Sequence, residues 1–278
     1  MIVSKTILYL EYLNNYITVD VDNLNICQQL RILYSNFMVD KPVGNNIGTI
    51  HIECLENQVI ISNENEKVGS IIDGWVQKFN KIFQETILFA LKKNYLFFHS
   101  TSVSFGDKAI LFAGTSGSGK TSCALYLAMT KKWDFVGDDF LPIDISDNNL
   151  HSFPGCIHAK QSMIDLLGVK IRKNNCGVSY VGVKNKILYF PPSIVNVTQT
   201  NKKFKNLIFV FPRYNSLENT LKKLNGIDKI AHFMECIYNI DDIVSYFAPF
   251  VSEQQNCYFV QYSNFEYLDR IIESIVIQ

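Results

Sequence analysis

A glycine-rich loop over residues 114–122 carries the residue types that bind a phosphate chain. The segment GTSGSGKTS matches the pattern GxxxxGK[ST] through Gly114, Gly119, Lys120 and Thr121. Glycines let successive backbone N–H groups point into one concavity, and a helix beginning at the lysine adds its positive end. We expect Lys120 to reach the β and γ phosphates of a nucleotide, and Thr121 to offer its hydroxyl to Mg²⁺. The expected nucleotide-binding residues are Gly114, Thr115, Ser116, Gly117, Ser118, Gly119, Lys120, Thr121 and Ser122.

Two adjacent carboxylates follow this loop at a spacing that suits a catalytic site. Asp138 and Asp139 end the apolar run in FVGDDF, eighteen positions after Lys120. An intervening helix of about twelve residues rises about 18 Å, and a return strand brings the doublet back to the sheet edge where phosphates would lie. One carboxylate can serve Mg²⁺, and the other can take a proton from an attacking hydroxyl. The alternative is a solvated Asp-Asp turn.

Three further polar residues accompany apolar strands and are weaker candidates. His99 ends YLFFH, one hairpin before the glycine-rich loop. It could hydrogen-bond one aspartate and tune its basicity, although a histidine in this setting is usually a satisfied core group. Lys186 and Arg213 are candidates to balance γ-phosphate charge in a transition state, with surface solvation as the equal alternative.

The apolar periodicity predicts the elements that must position these residues. Residues 95–105 and the run after the Gly106–Asp107 turn predict two strands that lead into the loop. A helix over 120–131 and a short strand then carry the chain to the aspartates. Further on we expect strands at 207–211 and 257–262, two helical stretches within 216–248, and a closing helix. The mixture predicts an α/β fold.

The amino-terminal part of the chain shows a different pattern. Residues 1–70 alternate short apolar runs with polar turns, including a predicted hairpin over 49–62 and a short helix near 28–37. Residues 71–93 then show the three- and four-residue apolar spacing of an amphipathic helix. We expect a boundary near residue 70. The first region could recognise a partner by accepting a peptide at its sheet edge, or could serve as a structural cover.

Composition limits the classes of function. Of 278 residues, 26 are Lys or Arg and 26 are Asp or Glu, so the net charge is zero and favours neither nucleic acid nor an anionic membrane. Seven cysteines without CxxC spacing indicate reduced thiols. No apolar run approaches the roughly 20 residues that span a bilayer, and Glu11 interrupts the amino-terminal stretch, which resembles a strand more than a signal peptide. We expect a cytoplasmic protein.

The order of motifs HSTSVSFGDKAILFAGTSGSGKTSCALYLA…FVGDDFLPI resembles the HPr kinase/phosphorylase-related kinases. Their core is similar to that of phosphoenolpyruvate carboxykinase. The resemblance covers about residues 95–145, with a weaker echo in FPGCIHAK, KILYFPPS and LIFVFPR. It implies a mixed-sheet P-loop core over residues 71–278, with a small β-rich region over 1–70.

The resemblance implies an ATP- and Mg²⁺-dependent kinase. Relatives of this type phosphorylate a serine of a carrier protein, a peptide such as a lasso-peptide precursor, or a free amino acid. Carried over to this sequence, Asp138 is the general base, Asp139 and Thr121 hold the metal, and His99, Lys120 and Arg213 assist catalysis.

Two departures bear on the substrate. Gly137 stands where carrier-protein kinases usually have alanine, and the glycine- and arginine-rich signature of bifunctional kinase/phosphorylases is absent after residue 150. We therefore expect transfer to a serine of another peptide or protein. A small-molecule kinase acting on an amino acid or sugar, and a nucleotide-binding regulator without transfer, are the alternatives. The oligomeric state stays open, a homo-oligomer included.

Overall fold

The computed structural model describes most of the chain, namely residues 5–56, 58–71, 74–167, 177–181, 185–215, 217–242 and 244–277. Within these ranges the strands, numbered in chain order, are β1 (Thr6–Tyr12), β2 (Asn15–Val21), β3 (Met38–Val39), β4 (Asn45–Leu55), β5 (Gln58–Ser62), β6 (Lys67–Ile71), β7 (Tyr95–Phe98), β8 (Ser100–Phe105), β9 (Lys108–Ala113), β10 (Asp134–Gly137), β11 (Leu141–Asp144), β12 (Leu150–His151), β13 (Ile157–Lys160), β14 (Gly177–Val181), β15 (Asn185–Phe190), β16 (Lys203–Phe204), β17 (Asn206–Tyr214), β18 (Thr220–Lys223) and β19 (Cys257–Tyr262). The helices are α1 (Leu24–Leu33), α2 (Trp75–Leu91), α3 (Lys120–Thr130), α4 (Gln161–Leu166), α5 (Gly226–Met234), α6 (Val244–Glu253) and α7 (Phe265–Ile277).

The protein is an α/β protein with mixed sheets, and its chain forms two compact units. The first unit contains residues 1–90 and 155–194, and the second contains 91–154 and 195–278. The sequence predicts a boundary near residue 70, so this division differs in two ways. Helix α2 packs in the first unit, and the chain returns to that unit after residue 154. No helix in the described ranges has both the length and the apolar character needed to cross a bilayer.

The first unit is built on a six-stranded sheet in the order β3-β1-β2-β4-β5-β6. Strands β2 and β4 are parallel and are linked through α1, whereas β4 and β5 form the predicted hairpin. The apolar side chains of this hairpin, Ile50, Ile52 and Val59, are buried. Alternation of apolar and polar residues in the hairpin therefore matches its buried and exposed faces.

An aromatic cluster holds α2 in the first unit. The rings of Phe79 and Phe83 lie 5.0 and 5.5 Å from that of Tyr34, which follows α1. Cys156, from the returning segment, donates its thiol hydrogen to the Tyr34 hydroxyl at 3.4 Å. The apolar side chains along one face of α2 are thus buried within this unit, which explains why the unit extends beyond residue 70.

The second unit contains the six-stranded sheet that carries the predicted functional residues. Its order is β10-β8-β9-β17-β19-β18. Strand β8 is antiparallel to both β9 and β10, so β9 and β10 run in the same direction. Strands β17 and β19 are also parallel to β9. The carboxyl ends of β9, β10 and β17 therefore meet at one edge, which is also where β8 begins.

A smaller sheet in the order β16-β12-β11-β7 completes the strands of this unit. The sequence predicts one continuous strand through residues 95–105, but β7 and β8 belong to different sheets and separate at His99. The sequence also misses β18, because its four residues are all exposed and show no apolar alternation. Of the two helical stretches predicted within 216–248, on either side of Asn225–Gly226, the second is present as α5. The first is wrong, because β18 occupies that segment, and α6 begins within the predicted range but extends to Glu253.

Candidate active site

The glycine-rich loop connects β9 to α3 and requires glycine at its end. Gly119 precedes α3 with a φ of 102°, and a Cβ placed on it would lie 2.5 Å from the Tyr262 hydroxyl oxygen. Only glycine combines this left-handed conformation with so close an approach. No side chain in the described residues caps α3. The first amide groups of the helix can therefore donate to an anion.

The interior of the loop holds a buried cation and an unpaired hydroxyl. Lys120 is 5% exposed, and its Nζ donates to the carbonyl oxygens of Gly114 at 3.0 Å and Thr115 at 3.2 Å. Burial lowers the pKa of Lys120, while the charges of Asp139 and Asp138 act in the opposite direction. The Ser118 hydroxyl is buried and has no hydrogen-bond partner in the described part of the chain. A buried cation and a donor without an acceptor in a concave loop fit an anionic ligand.

Asp138 connects β10 directly to the loop. Its side chain is buried, and its Oδ1 accepts hydrogen bonds from Thr121 Oγ1 at 3.0 Å and Thr101 Oγ1 at 2.5 Å. The two threonine oxygens lie 3.3 Å apart. Thr101 is the third member of this cluster, and the sequence reasoning missed it. The available signal was its position two residues after His99, which places both side chains on the same side of the chain where β8 begins.

Asp139 has a different environment from its neighbour. It adopts a φ of 63°, and the amide of Phe140 donates to the Asp138 carbonyl oxygen at 2.8 Å. The Asp139 Oδ1 lies 3.2 Å from His99 Nε2, and the two side chains are 27% and 24% exposed. The turn therefore gives the two carboxylates separate partners, hydroxyl groups for Asp138 and an imidazole for Asp139.

A segment far along the chain supports the His99–Asp139 pair. The His99 amide donates to the Cys236 carbonyl oxygen at 2.7 Å, and the Tyr238 amide donates to the Phe97 carbonyl oxygen at 2.9 Å. The Tyr238 hydroxyl donates to the Asp139 carbonyl oxygen at 3.1 Å, and its ring centroid lies 5.6 Å from that of His99. No short-range pattern indicates Tyr238, because these contacts join residues about 99 to 140 positions apart.

Gly137 is required by a close approach to the neighbouring segment. A Cβ at this position would lie 2.5 Å from the carbonyl oxygen of Phe153 and 2.7 Å from Leu141 Cδ2. Gly137 and Phe153 form an isolated parallel bridge. Alanine at this position would push the backbone of Phe153, which explains in physical terms the departure noted at Gly137.

The two remaining candidates are placed differently. Arg213 lies near the carboxyl end of β17, at the same edge as the glycine-rich loop. It is exposed, and no ion pair to it is found among the described residues. Lys186 belongs to β15 in the first unit, and its side chain lies outside the described residues.

The oxygen donors at this edge fit a small divalent cation. A carboxylate of Asp138 and the hydroxyl of Thr121 converge within hydrogen-bond distance. Mg²⁺ prefers such oxygen ligands and is usually held by one or two carboxylates together with substrate phosphates. The site residues predicted from the sequence, His99, Lys120, Thr121 and the two aspartates, thus lie at one sheet edge.

No protein-family model matches this chain, and no curated protein matches it. Its function must therefore be inferred from the residues and their geometry.

Proposed function

We propose that this protein is an ATP- and Mg²⁺-dependent phosphotransferase with a P-loop core of the HPr kinase and phosphoenolpyruvate carboxykinase type. It transfers the γ-phosphoryl group to a hydroxyl group, a serine of a peptide or protein. The observation that carries the proposal is the contact of Asp138 with Thr121, 3.0 Å long, which joins the glycine-rich loop to the acidic doublet. A nucleotide bound in the loop then lies beside a carboxylate pair.

The loop supplies the binding groups for the triphosphate. Its backbone amides, the amino end of α3, and the Ser118 hydroxyl donate to phosphate oxygens. Lys120 exchanges its loop carbonyl partners for phosphate oxygens and balances their charge. Thr121 and Asp138 would hold Mg²⁺, which when bound neutralises charge on the phosphates. Arg213, at the same edge, adds a further positive charge.

Asp139 is the general base in this proposal, which reverses the roles implied by the resemblance. Asp138 is buried and already accepts from two hydroxyls, as a metal-side carboxylate does. Asp139 is about a quarter exposed and faces His99, so an acceptor can approach it. The acceptor oxygen forms a bond to the γ phosphorus, the bond from that phosphorus to the β–γ bridging oxygen breaks, and ADP leaves. The acceptor proton passes to Asp139.

The His99–Asp139 pair also favours transfer over simple nucleotide binding. A regulator that only binds nucleotide needs the glycine-rich loop and a metal-side carboxylate. Such a regulator does not require a second carboxylate whose oxygen lies 3.2 Å from an imidazole nitrogen. That pair is the arrangement expected of a positioned base.

The test is phosphoryl transfer from γ-labelled ATP in the presence of Mg²⁺ and serine-containing peptides, followed by mass spectrometry. Lys120→Ala and Asp139→Asn should each reduce turnover by a factor on the order of 10² or more. Asp107→Asn is the matched control, because Asp107 lies in the β8–β9 turn at the opposite end of these strands. Transfer by both variants at the rate of the control would refute the proposal.

A further inference from the structure

Helix α5 exposes a narrow row of large apolar side chains. Ile227, Ile230 and Met234 are 83%, 41% and 55% exposed. Successive residues of a helix are about 100° apart, so these three lie within an arc of about 60°. We call this row the α5 stripe. Single exposed apolar residues are ordinary, but several on one helix face indicate a surface that binds another molecule.

The opposite face of α5 already anchors the helix to the second unit. The His232 ring stacks on Phe211 with centroids 4.8 Å apart. Phe233 is buried, with its ring centroid 4.7 Å from that of Phe209. Burial of this face is sufficient to hold the helix on its sheet. The apolar residues of the α5 stripe are therefore not explained by the folding of this unit.

In the chain, the α5 stripe is followed by residues that contact His99 and the proposed base. The chain leaves α5 at Met234, and the carbonyl oxygen of Cys236 accepts from the His99 amide at 2.7 Å. Tyr238 follows, is 46% exposed, and donates its hydroxyl hydrogen to the Asp139 carbonyl oxygen. The stripe therefore ends at Met234, four residues before the tyrosine that contacts the proposed base, and Cys236 and Ile237 between them are buried.

The side chains of the stripe favour an apolar ligand. Of the charged residues beside it, Asp228 pairs with Lys222 at 2.6 Å and Lys229 donates to the Gln254 carbonyl oxygen at 3.0 Å, whereas Glu235 is exposed next to Met234. Contact with apolar groups is favourable for isoleucine and methionine side chains, because it removes apolar surface from water. These side chains provide no strong hydrogen-bond partner for the hydroxyl groups of a sugar. Ile227 and Met234 are seven residues apart, so the stripe is about 10 Å long. An extended peptide covers that length with about three residues.

We propose that the α5 stripe binds apolar side chains of a peptide acceptor, close to the serine that receives the phosphoryl group. The inference rests on the proposed function and specifies its substrate. The acceptor is a peptide segment with bulky apolar residues within a few positions of the serine. A free amino acid has no flanking residues that could contact the stripe.

The experiment uses a library of peptides with one fixed serine and degenerate flanking positions, with free L-serine as a second acceptor. The full-length protein and two variants are given γ-labelled ATP and Mg²⁺. One variant carries Ile230→Gln and Met234→Gln together, since glutamine keeps a helix propensity at least equal to that of isoleucine. The control is Ile277→Gln, an isoleucine that is 81% exposed at the end of α7.

We expect the unmodified protein and the control to label peptides enriched in leucine, isoleucine, valine or phenylalanine near the serine. The double variant should lose this enrichment, with kcat/KM for the selected peptides falling about tenfold. ATP hydrolysis without acceptor should be unchanged, because neither substituted residue touches the glycine-rich loop or the aspartates.

Each contrary outcome separates this inference from the proposed function. An unchanged peptide preference in the double variant, or labelling of free serine as fast as of peptides, would overturn the inference and leave phosphoryl transfer standing. ATP turnover that labels neither peptides nor free serine would overturn the inference and also contradict transfer to a hydroxyl group, leaving only ATP hydrolysis. If sedimentation shows that the double variant only breaks up an assembly of identical chains, the stripe is a contact between copies and the inference is overturned. Absence of both ATP turnover and label would overturn the proposed function itself.

Discussion

At the residue scale, the two carboxylates of the acidic doublet have different surroundings. Asp138 is enclosed and accepts from two threonine hydroxyls, whereas Asp139 is partly exposed beside an imidazole. A turn with Asp139 at a φ of 63° separates their partners. Aspartate tolerates this left-handed conformation better than most residues. Two identical side chains in adjacent positions can therefore take the separate roles of metal ligand and base.

The first prediction concerns Tyr238 as a positioning residue. Tyr238→Phe removes the hydroxyl that donates to the Asp139 carbonyl oxygen and leaves the ring beside His99. Loss of one such bond should lower kcat by about three- to tenfold through misplacement of the base, without changing KM for ATP. Tyr214→Phe is the control, since Tyr214 is 60% exposed. Equal kcat values for the two variants in steady-state kinetics would contradict the role.

The second prediction concerns the glycine before the doublet. Gly137→Ala places a Cβ 2.5 Å from the Phe153 carbonyl oxygen, so the backbone must move. We expect the free energy of unfolding to fall by about 1–3 kcal/mol, measured by urea denaturation. Gly69→Ala is the control, because a Cβ at Gly69 meets no atom within 4 Å. A Gly137→Ala protein as stable as the control would show that the contact is easily relieved.

At the scale of elements, local patterns were readable in the sequence and long-range contacts were not. The loop followed by a helix was predicted, and α3 spans Lys120–Thr130 as expected within one residue. Strand β19 was predicted with the bounds that the structure shows. Strand β18 was missed because TLKK lies exposed at a sheet edge and carries no apolar alternation. Periodicity reports burial, so an exposed strand leaves no pattern to find.

The same distinction applies to the candidate site. The glycine-rich loop and the doublet were found because their residue types and spacing have a mechanical reason. Thr101 and Tyr238 were missed, because each acts through a contact with a residue far from it in the chain. Which residues meet at the edge depends on the strand order β10-β8-β9, which short-range patterns do not contain.

The third prediction concerns the junction of the loop and α3. Gly119→Ala would place an alanine at a φ of 102°, with its Cβ 2.5 Å from the Tyr262 hydroxyl oxygen. The first turn of the helix must therefore shift. We expect ATP affinity to fall by about tenfold or more, measured by calorimetry. Tyr262→Phe removes the oxygen that makes the closest contact, so the double variant should recover part of the loss. Additive effects of the two substitutions would argue against a direct clash.

At the scale of the whole molecule, the second unit also contains a buried titratable side chain outside the proposed site. The sheet β16-β12-β11-β7 contains His151, which is buried and has no hydrogen-bond partner among the described residues. Burial lowers the pKa of His151, and the charge of nearby Lys203 lowers it further. The charges of Asp144 and Asp147 act in the opposite direction. The folded protein therefore keeps this imidazole neutral at a pH where an unfolded chain protonates it.

The fourth prediction follows from the sign of that shift. The unfolded chain binds a proton at His151 with a pKa near 6.5, and the folded chain binds it only at lower pH. Stability should therefore decrease as the pH falls below about 6.5. His151→Gln should reduce the difference in unfolding free energy between pH 7.5 and 5.5, measured by urea denaturation. The unsubstituted protein at the same two pH values is the reference, and an equal difference in the variant would contradict this role of His151.

The discontinuous division of the chain has a consequence for biosynthesis. All segments of the first unit have left the ribosome once residue 194 has been translated and has cleared the exit tunnel. Strand β17, which pairs with β9, and strand β19 beyond it follow residue 194 in the chain, so they emerge from the tunnel later. During vectorial synthesis the nascent polypeptide can therefore complete the first unit while the glycine-rich loop still lacks the strand beside β9, so the proposed nucleotide site forms after the first unit.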